Sequence, residues 1–154
     1  MIERVKDEDV FKKALRDVFL KTDKNNLFLN ETLDISYNEE CLIDNAPSSL
    51  MFIWDDFIWV NKNEEGTYDA MIWFRINRDC RSKEEFFDEY FWLSSSTEEN
   101  NLELLKCAIT FARTTSIKYI SSNIFENEDR KESLKNLYKK LGYKKQQSYY
   151  IAKL

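Results

Sequence analysis

The sequence predicts a mixed α/β fold, a central mixed sheet of about six strands flanked by three to four helices, within one domain spanning residues 1–154. Three observations carry this expectation. Two segments in the second half, near residues 102–112 and 134–141, repeat apolar residues at helical spacing. Between residues 50 and 93, aromatic and β-branched residues gather in runs separated by polar connections, as strands of a meander do. Strand-like runs flank the first of the two helical segments, and such a strand, helix, strand succession implies a parallel pair joined by a crossover.

From the N-terminus, Met1–Val5 reads as a short strand. Asp7 or Asp9 can cap a helix in which Val10, Phe11, Ala14, Leu15, Val18 and Phe19 share a face and which ends near Lys21. Residues 22–49 are polar, with Asn25, Asn26, Asn30, Asn45 and Pro47 as turn signals and room for one short helix. Leu50–Val60 and Tyr68–Asn77 form a hairpin about the turn NKNEEG, and Phe86–Leu93 adds a third antiparallel strand. Leu102, Leu105, Ile109 and Ala112, with Leu104, Ala108 and Phe111 beside them, mark the next helix, and Ile117–Phe125 a strand after it. Leu134, Leu137, Tyr138 and Leu141 repeat at i, i+3, i+4 and i+7, with Gly142 at the position of a C-terminal cap. Ser148–Leu154 closes the fold as a strand.

Composition excludes much chemistry. With 43% apolar and 33% charged residues the chain has a core to bury, and no apolar run approaches the roughly 18 residues of a membrane span. The charged start MIERVKDEDV lacks the apolar segment of a secretory signal, so a cytoplasmic protein, or one assembled into a particle made there, is expected. Cys41, Cys80 and Cys107 are far apart and form no CxxC pair, which points to reduced thiols, with Cys107 as a small core residue. There is no histidine, which removes imidazole acid/base work, histidine-activated nucleophiles and the usual histidine-bearing zinc sites; no metal is expected. Only Gly66 and Gly142 are glycines, where average usage of about 7% would give roughly eleven, so neither a Walker nor a Rossmann phosphate loop is present.

The run LELLKCAITFARTTSIKYISSNIF, followed by ESLKNLYKKLGYKKQQSYYIAKL, resembles the closing helix, strand, helix and strand of GNAT N-acetyltransferases. The most specific piece is NLYKKLGY, Asn136 to Tyr143, similar to the family's L-Y-x-K-x-G-[FY] ending. The likeness in sequence runs from about residue 102 onward, and the element order fits the family's fold over nearly the whole chain. In that family the turn before the first of these helices carries [QR]-x-x-G-x-[GA], which holds the acetyl-CoA pyrophosphate on backbone amides and a helix N-terminus. Aligned on Leu104 and Leu105, Ser96 takes the [QR] position, Glu99 the first glycine and Asn101 the last, so the signature is not kept. Glu98 and Glu99 set two carboxylates where the pyrophosphate would lie, although acids at a helix start also complement the macrodipole. The resemblance further makes Tyr138 the candidate acid for a departing CoA thiolate, while periodicity places it equally in the apolar stripe of its helix.

Asp55, Asp56 and Glu89 are candidate bases on expected central strands, with nothing to choose among them. Trp54, Trp59, Trp73 and Trp92 all fall in the meander; alternation places Trp54 and Trp59 on opposite faces, and any tryptophan left uncovered by helices is a candidate interface anchor. From Arg130 to Leu154 there are eight Lys or Arg against one acid, which reads first as a solvated helix face; an acidic partner or head-to-tail self-association is the alternative, and nucleic acid is not expected given a net charge of −5. The expectation is a GNAT-like protein without a cofactor, serving as a protein-interaction or assembly module. The resemblance extends to acetyltransferase-like accessory and virion proteins of phages. The alternative is an active acetyl-CoA-dependent N-acetyltransferase with an atypical loop.

Overall fold

The computed structural model describes residues 1–22, 28–30, 35–36, 38–44, 56–78, 84–122 and 131–144. They fall in two compact units: Met1–Asp23 with Asn38–Asn123, and Lys24–Tyr37 with Ile124–Leu154.

The first unit holds a five-stranded sheet. Its strands are β1 (Ile2–Arg4), β4 (Asp56–Lys62), β5 (Tyr68–Arg78), β6 (Glu85–Ser94) and β7 (Tyr119–Ser121), adjacent in that order. The first four run antiparallel, and β7 lies parallel to β6, as the crossover through helix α3 (Glu98–Ala112) requires. Helix α1 (Glu8–Lys21) starts where the Asp7 carboxylate accepts from the amides of Asp9 and Val10, and it buries Phe11, Ala14, Leu15 and Val18. A six-residue helix, α2 (Glu39–Asp44), is tied to α1 by an Arg16–Glu39 ion pair of 3.6 Å. In the second unit, β2 (Phe28–Asn30) pairs antiparallel with β3 (Ile35–Ser36), and helix α4 (Lys131–Lys140) ends at Gly142 with φ +84°, a conformation that costs a side chain steric strain.

Alternation along the strands supplies both faces of the sheet with rings. Phe57, Phe74 and Phe87 gather with Phe111 of α3 on one face, at centroid separations of 4.7–6.3 Å. Trp59 joins them, 5.6 Å from Phe111. The Arg4 guanidinium lies over Phe57 and Phe111 at 4.9 and 4.6 Å, and burial lowers its pKa. On the other face Trp73 meets Phe11 of α1 edge-on at 5.6 Å, and Phe19 stacks on Phe91 at 6.2 Å. Helices therefore cover both faces of the sheet within this unit.

Two expectations are corrected. The main sheet of the described residues has five strands, close to the about six expected, but a separate two-stranded pair occupies the stretch read as irregular. Helix α3 begins at Glu98, four residues before Leu102, because Thr97 caps it and its first turn is polar. The expected closing strand at 148–154, and residues 50–55 of the expected first hairpin strand, lie outside the described residues.

Tyr68 opens β5 and is buried, its hydroxyl donating to Glu3 Oε1 at 2.9 Å. Burial, and then the Glu3 carboxylate, push its pKa from 10.0 up to about 12. The folded state thus holds this proton more tightly than the unfolded chain. That contribution to stability is complete below pH 10 and is lost as pH rises through about 12. Thermal melts of wild type and Tyr68→Phe across this range should show the wild type losing stability more steeply; parallel curves would remove Tyr68 as the cause.

Candidate functional site

The segment that the sequence singles out lies where β6 ends and α3 begins. Ser94 is buried, and its Oγ donates to Asn101 Oδ1 at 2.6 Å while accepting from the Ser96 amide at 3.0 Å. Asn100 Nδ2 donates to Ser96 Oγ at 2.9 Å, and Asn101 Nδ2 reaches the Ser96 carbonyl at 3.5 Å. Thr97 caps the helix: its Oγ1 accepts from the Asn100 amide at 3.2 Å and its carbonyl from the Asn101 amide at 3.0 Å. Neighbouring strands close the network from the side. The Ser95 amide donates to the Asp69 carbonyl at 2.8 Å, and Asn61 Nδ2 donates to Asp69 Oδ1 at 2.8 Å and toward Ser96 Oγ at 3.4 Å.

The consequence is electrostatic as well as steric. A helix N-terminus attracts an anion because its first amides lack partners. Here the Thr97 cap takes the amide of Asn100, the third of the helix, and the amides of Ser95 and Ser96 before it donate to the Asp69 carbonyl and the Ser94 hydroxyl. Exposed Glu98 and Glu99 bring their own negative charge to the first turn.

Of the three loop positions read from the sequence, Ser96 and Asn101 are drawn into this network, and Glu99 stands in solvent. Ser94, Asn61, Asp69 and Asn100 are participants that sequence reading missed. The string SSSTEENN carried a partial signal, since Ser and Thr side chains before a helix habitually bond nearby amides. Tyr138 lies in α4 in the second unit, buried, with its ring stacked on Tyr143 at 4.9 Å.

Among the described residues the tryptophans are core residues rather than exposed anchors: Trp59, Trp73 and Trp92 are all buried, because α3 and α1 cover their two faces. Trp54 and Asp55 lie outside the described residues. Asp56 accepts from Trp73 Nε1 at 2.6 Å and from Arg75 Nε at 2.5 Å, which occupies it structurally. Glu89 is buried opposite Phe74 in the β5–β6 ladder. Beside it, β6 pairs with β7 through Phe86–Asp88 and Tyr119–Ser121 among the described residues. Among the described residues no group of His, Cys, Asp or Glu is arranged to hold a metal ion, and no helix is long and apolar enough to cross a membrane.

No protein-family model matches the sequence, and no curated protein matches it significantly. Solved structures do match in three dimensions. The BH1408 protein from Bacillus halodurans, as a tetramutant, superposes with a TM-score of 0.70 at 12% identity, covering 100% of this chain and 99% of that one. The aminoglycoside acetyltransferase meta-AAC0020 from an uncultured soil metagenomic sample, in complex with sisomicin, gives 0.64 at 13% identity, covering 100% and 96%. A ribosomal-protein-alanine N-acetyltransferase from Brucella melitensis biovar Abortus 2308 gives 0.64 at 9% identity, covering 100% and 99%. With a mixed sheet, a helix on either side of it and these neighbours, the chain has the fold of GNAT-type acetyltransferases.

Proposed function

We infer that this GNAT-like chain acts through its surfaces, as a protein-interaction or assembly module that has lost acetyl-CoA binding. The observation that carries this reading is the β6–α3 turn, whose amides bond to Ser94, Thr97 and Asp69 of the same chain. A pyrophosphate held on those amides would have to displace these bonds, and one held on the first turn of α3 would approach Glu98 and Glu99. Each close carboxylate–phosphate approach at about 4 Å costs roughly 1 kcal/mol per charge pair even at the dielectric of bulk water. Action inside the cytoplasm, or in an assembled particle such as a phage virion, belongs to this reading through resemblance alone.

One observation favours a second reading, an acetyl-CoA-dependent N-acetyltransferase with an atypical loop and Tyr138 as acid. Several of the solved structures that share this fold are named as acetyltransferases. Thermal denaturation with and without acetyl-CoA separates the two. A ligand at 100 times its Kd stabilises the folded state by about 2.7 kcal/mol, which moves Tm by several degrees for a chain of this size. The first reading expects no shift at millimolar acetyl-CoA; a shift of several degrees establishes the second.

A further inference from the structure

Among the described residues the exposed large apolar side chains are Met1, Leu20, Tyr90 and Tyr119. The two tyrosines, 41% and 46% exposed, share one face of β6 and β7. Phe86 lies opposite Tyr119 in the parallel ladder and stacks on it at 5.2 Å. Tyr90 sits at the bulge where Trp73 pairs with Phe91 and Phe74 with Glu89. Its ring meets Trp73 at 4.8 Å and lies under the Arg75 guanidinium at 3.8 Å, which fixes it on the same side. Between these rings stands Asp88, whose carboxylate accepts from two neutral donors, Asn77 Nδ2 at 2.8 Å and Ser121 Oγ. Arg75, its partner across the ladder, is bonded to Asp56.

The stacked Phe86 and Tyr119 rings beside a carboxylate that accepts from neutral donors make a surface suited to an ammonium group, which gains from ring quadrupoles and carboxylate together, while Arg75 covers the Tyr90 ring. Tyrosine and arginine are also the residues most enriched at the centres of protein interfaces. The chain itself offers the complement. In α4 and just beyond it Lys139, Lys140 and Lys144 are exposed, and Arg130–Leu154 carries eight Lys or Arg against one acid, opposing a strongly acidic remainder.

We propose that the Phe86–Asp88–Tyr90–Tyr119 face of one copy receives the lysine-rich end of α4 of a second copy. The association is heterologous, each copy using a different patch, and it is sensitive to salt because its charges are exposed. It rests on the reading of this chain as a surface-acting protein and gives that reading a partner.

Sedimentation of the full chain tests it at about 50 mM and about 500 mM salt, where screening shortens the reach of charge several-fold. The wild type is expected to exceed monomer mass at low salt, rising with protein concentration, and to return to monomer at high salt. Lys139→Glu/Lys140→Glu and Asp88→Asn/Tyr119→Ser should each be monomeric alone while keeping wild-type circular dichroism. Mixed together they should form a one-to-one heterodimer, because each retains the patch the other lacks. A wild type that stays monomeric at about 0.5 mM protein overturns the proposal. So do variants that associate as the wild type does, or a mixture that forms no heterodimer. A monomer that instead binds decalysine through Asp88 and Tyr119 assigns the face to a foreign basic partner and equally overturns self-association. The same samples titrated with acetyl-CoA keep the outcomes apart: a monomer that gives no acetyl-CoA binding rejects this proposal and leaves the functional reading standing.

Discussion

Phe87→Ala is expected to destabilise the protein by about 4 kcal/mol, the largest effect of any single substitution considered. Phe87 is fully buried in β6, and its ring touches Phe74 at 4.7 Å, Phe57 at 5.4 Å, Trp59 at 6.1 Å and Phe111 at 6.3 Å. Truncation loses the transfer free energy of the ring and leaves a cavity. The neighbours are rings on paired strands and a packed helix, so they have little room to collapse into it. Phe87→Leu keeps most of the volume and should cost under about 2 kcal/mol. Urea denaturation reads both. With a slope near 2 kcal/mol/M, Phe87→Ala should lower the midpoint by about 2 M at unchanged slope. A shift under about half of that would mean the cluster is looser than its ring separations imply.

The second large effect is expected at the β6–α3 turn. Ser94→Ala removes the hydroxyl that bonds Asn101 Oδ1 and receives the Ser96 amide, leaving two polar groups unmet near a buried position. An unmet buried group costs about 1–3 kcal/mol, so a loss of about 2 kcal/mol is expected. Asn101→Leu in the same background removes one of the stranded groups. The double variant should therefore lose less than the sum of the singles, with a coupling energy of at least about 0.5 kcal/mol. Additive losses, or a Ser94→Ala cost near zero, would show that the turn is not held by its own side chains and that its amides are available to a ligand.

How much of this was legible in the sequence depends on how local each signal is. Helix α1 follows from the Asp7 cap and the spacing of Phe11, Ala14, Leu15 and Val18, all within two turns of one another. The end of α4 follows from Gly142, whose φ of +84° a side chain rarely adopts. The β4–β5 hairpin was visible because two runs rich in aromatic and β-branched residues flank a polar turn that holds Gly66. The β2–β3 pair was not, since strands of three and two residues carry no period to read. For the tryptophans, alternation supplied large apolar groups to both faces, but only the packing of Phe111 and Phe11 from distant helices decided that both are covered. The polar network was least legible. It brings Asn61 and Asp69 to Ser94–Asn101 across as many as 35 residues, and no local pattern in the chain encodes that meeting.

The neighbours in structure share a fold with this chain at 9–15% identity, and a fold by itself does not carry an activity. What separates the two functional readings is chemical and confined to one turn. Where the resemblance puts glycines and free amides, this chain has Ser96, Glu99 and Asn101, a capped helix, and Ser96 and Asn100 amides bonded to the hydroxyls of Ser94 and Thr97.

Isothermal titration calorimetry of the full chain with acetyl-CoA, repeated with CoA, tests this most directly. The account predicts no saturable heat up to millimolar ligand, in wild type and in Glu98→Gln/Glu99→Gln alike, because removing the two charges does not free the bonded amides. Saturable binding to the wild type at micromolar ligand would contradict it and would make the β6–α3 turn a working cofactor site.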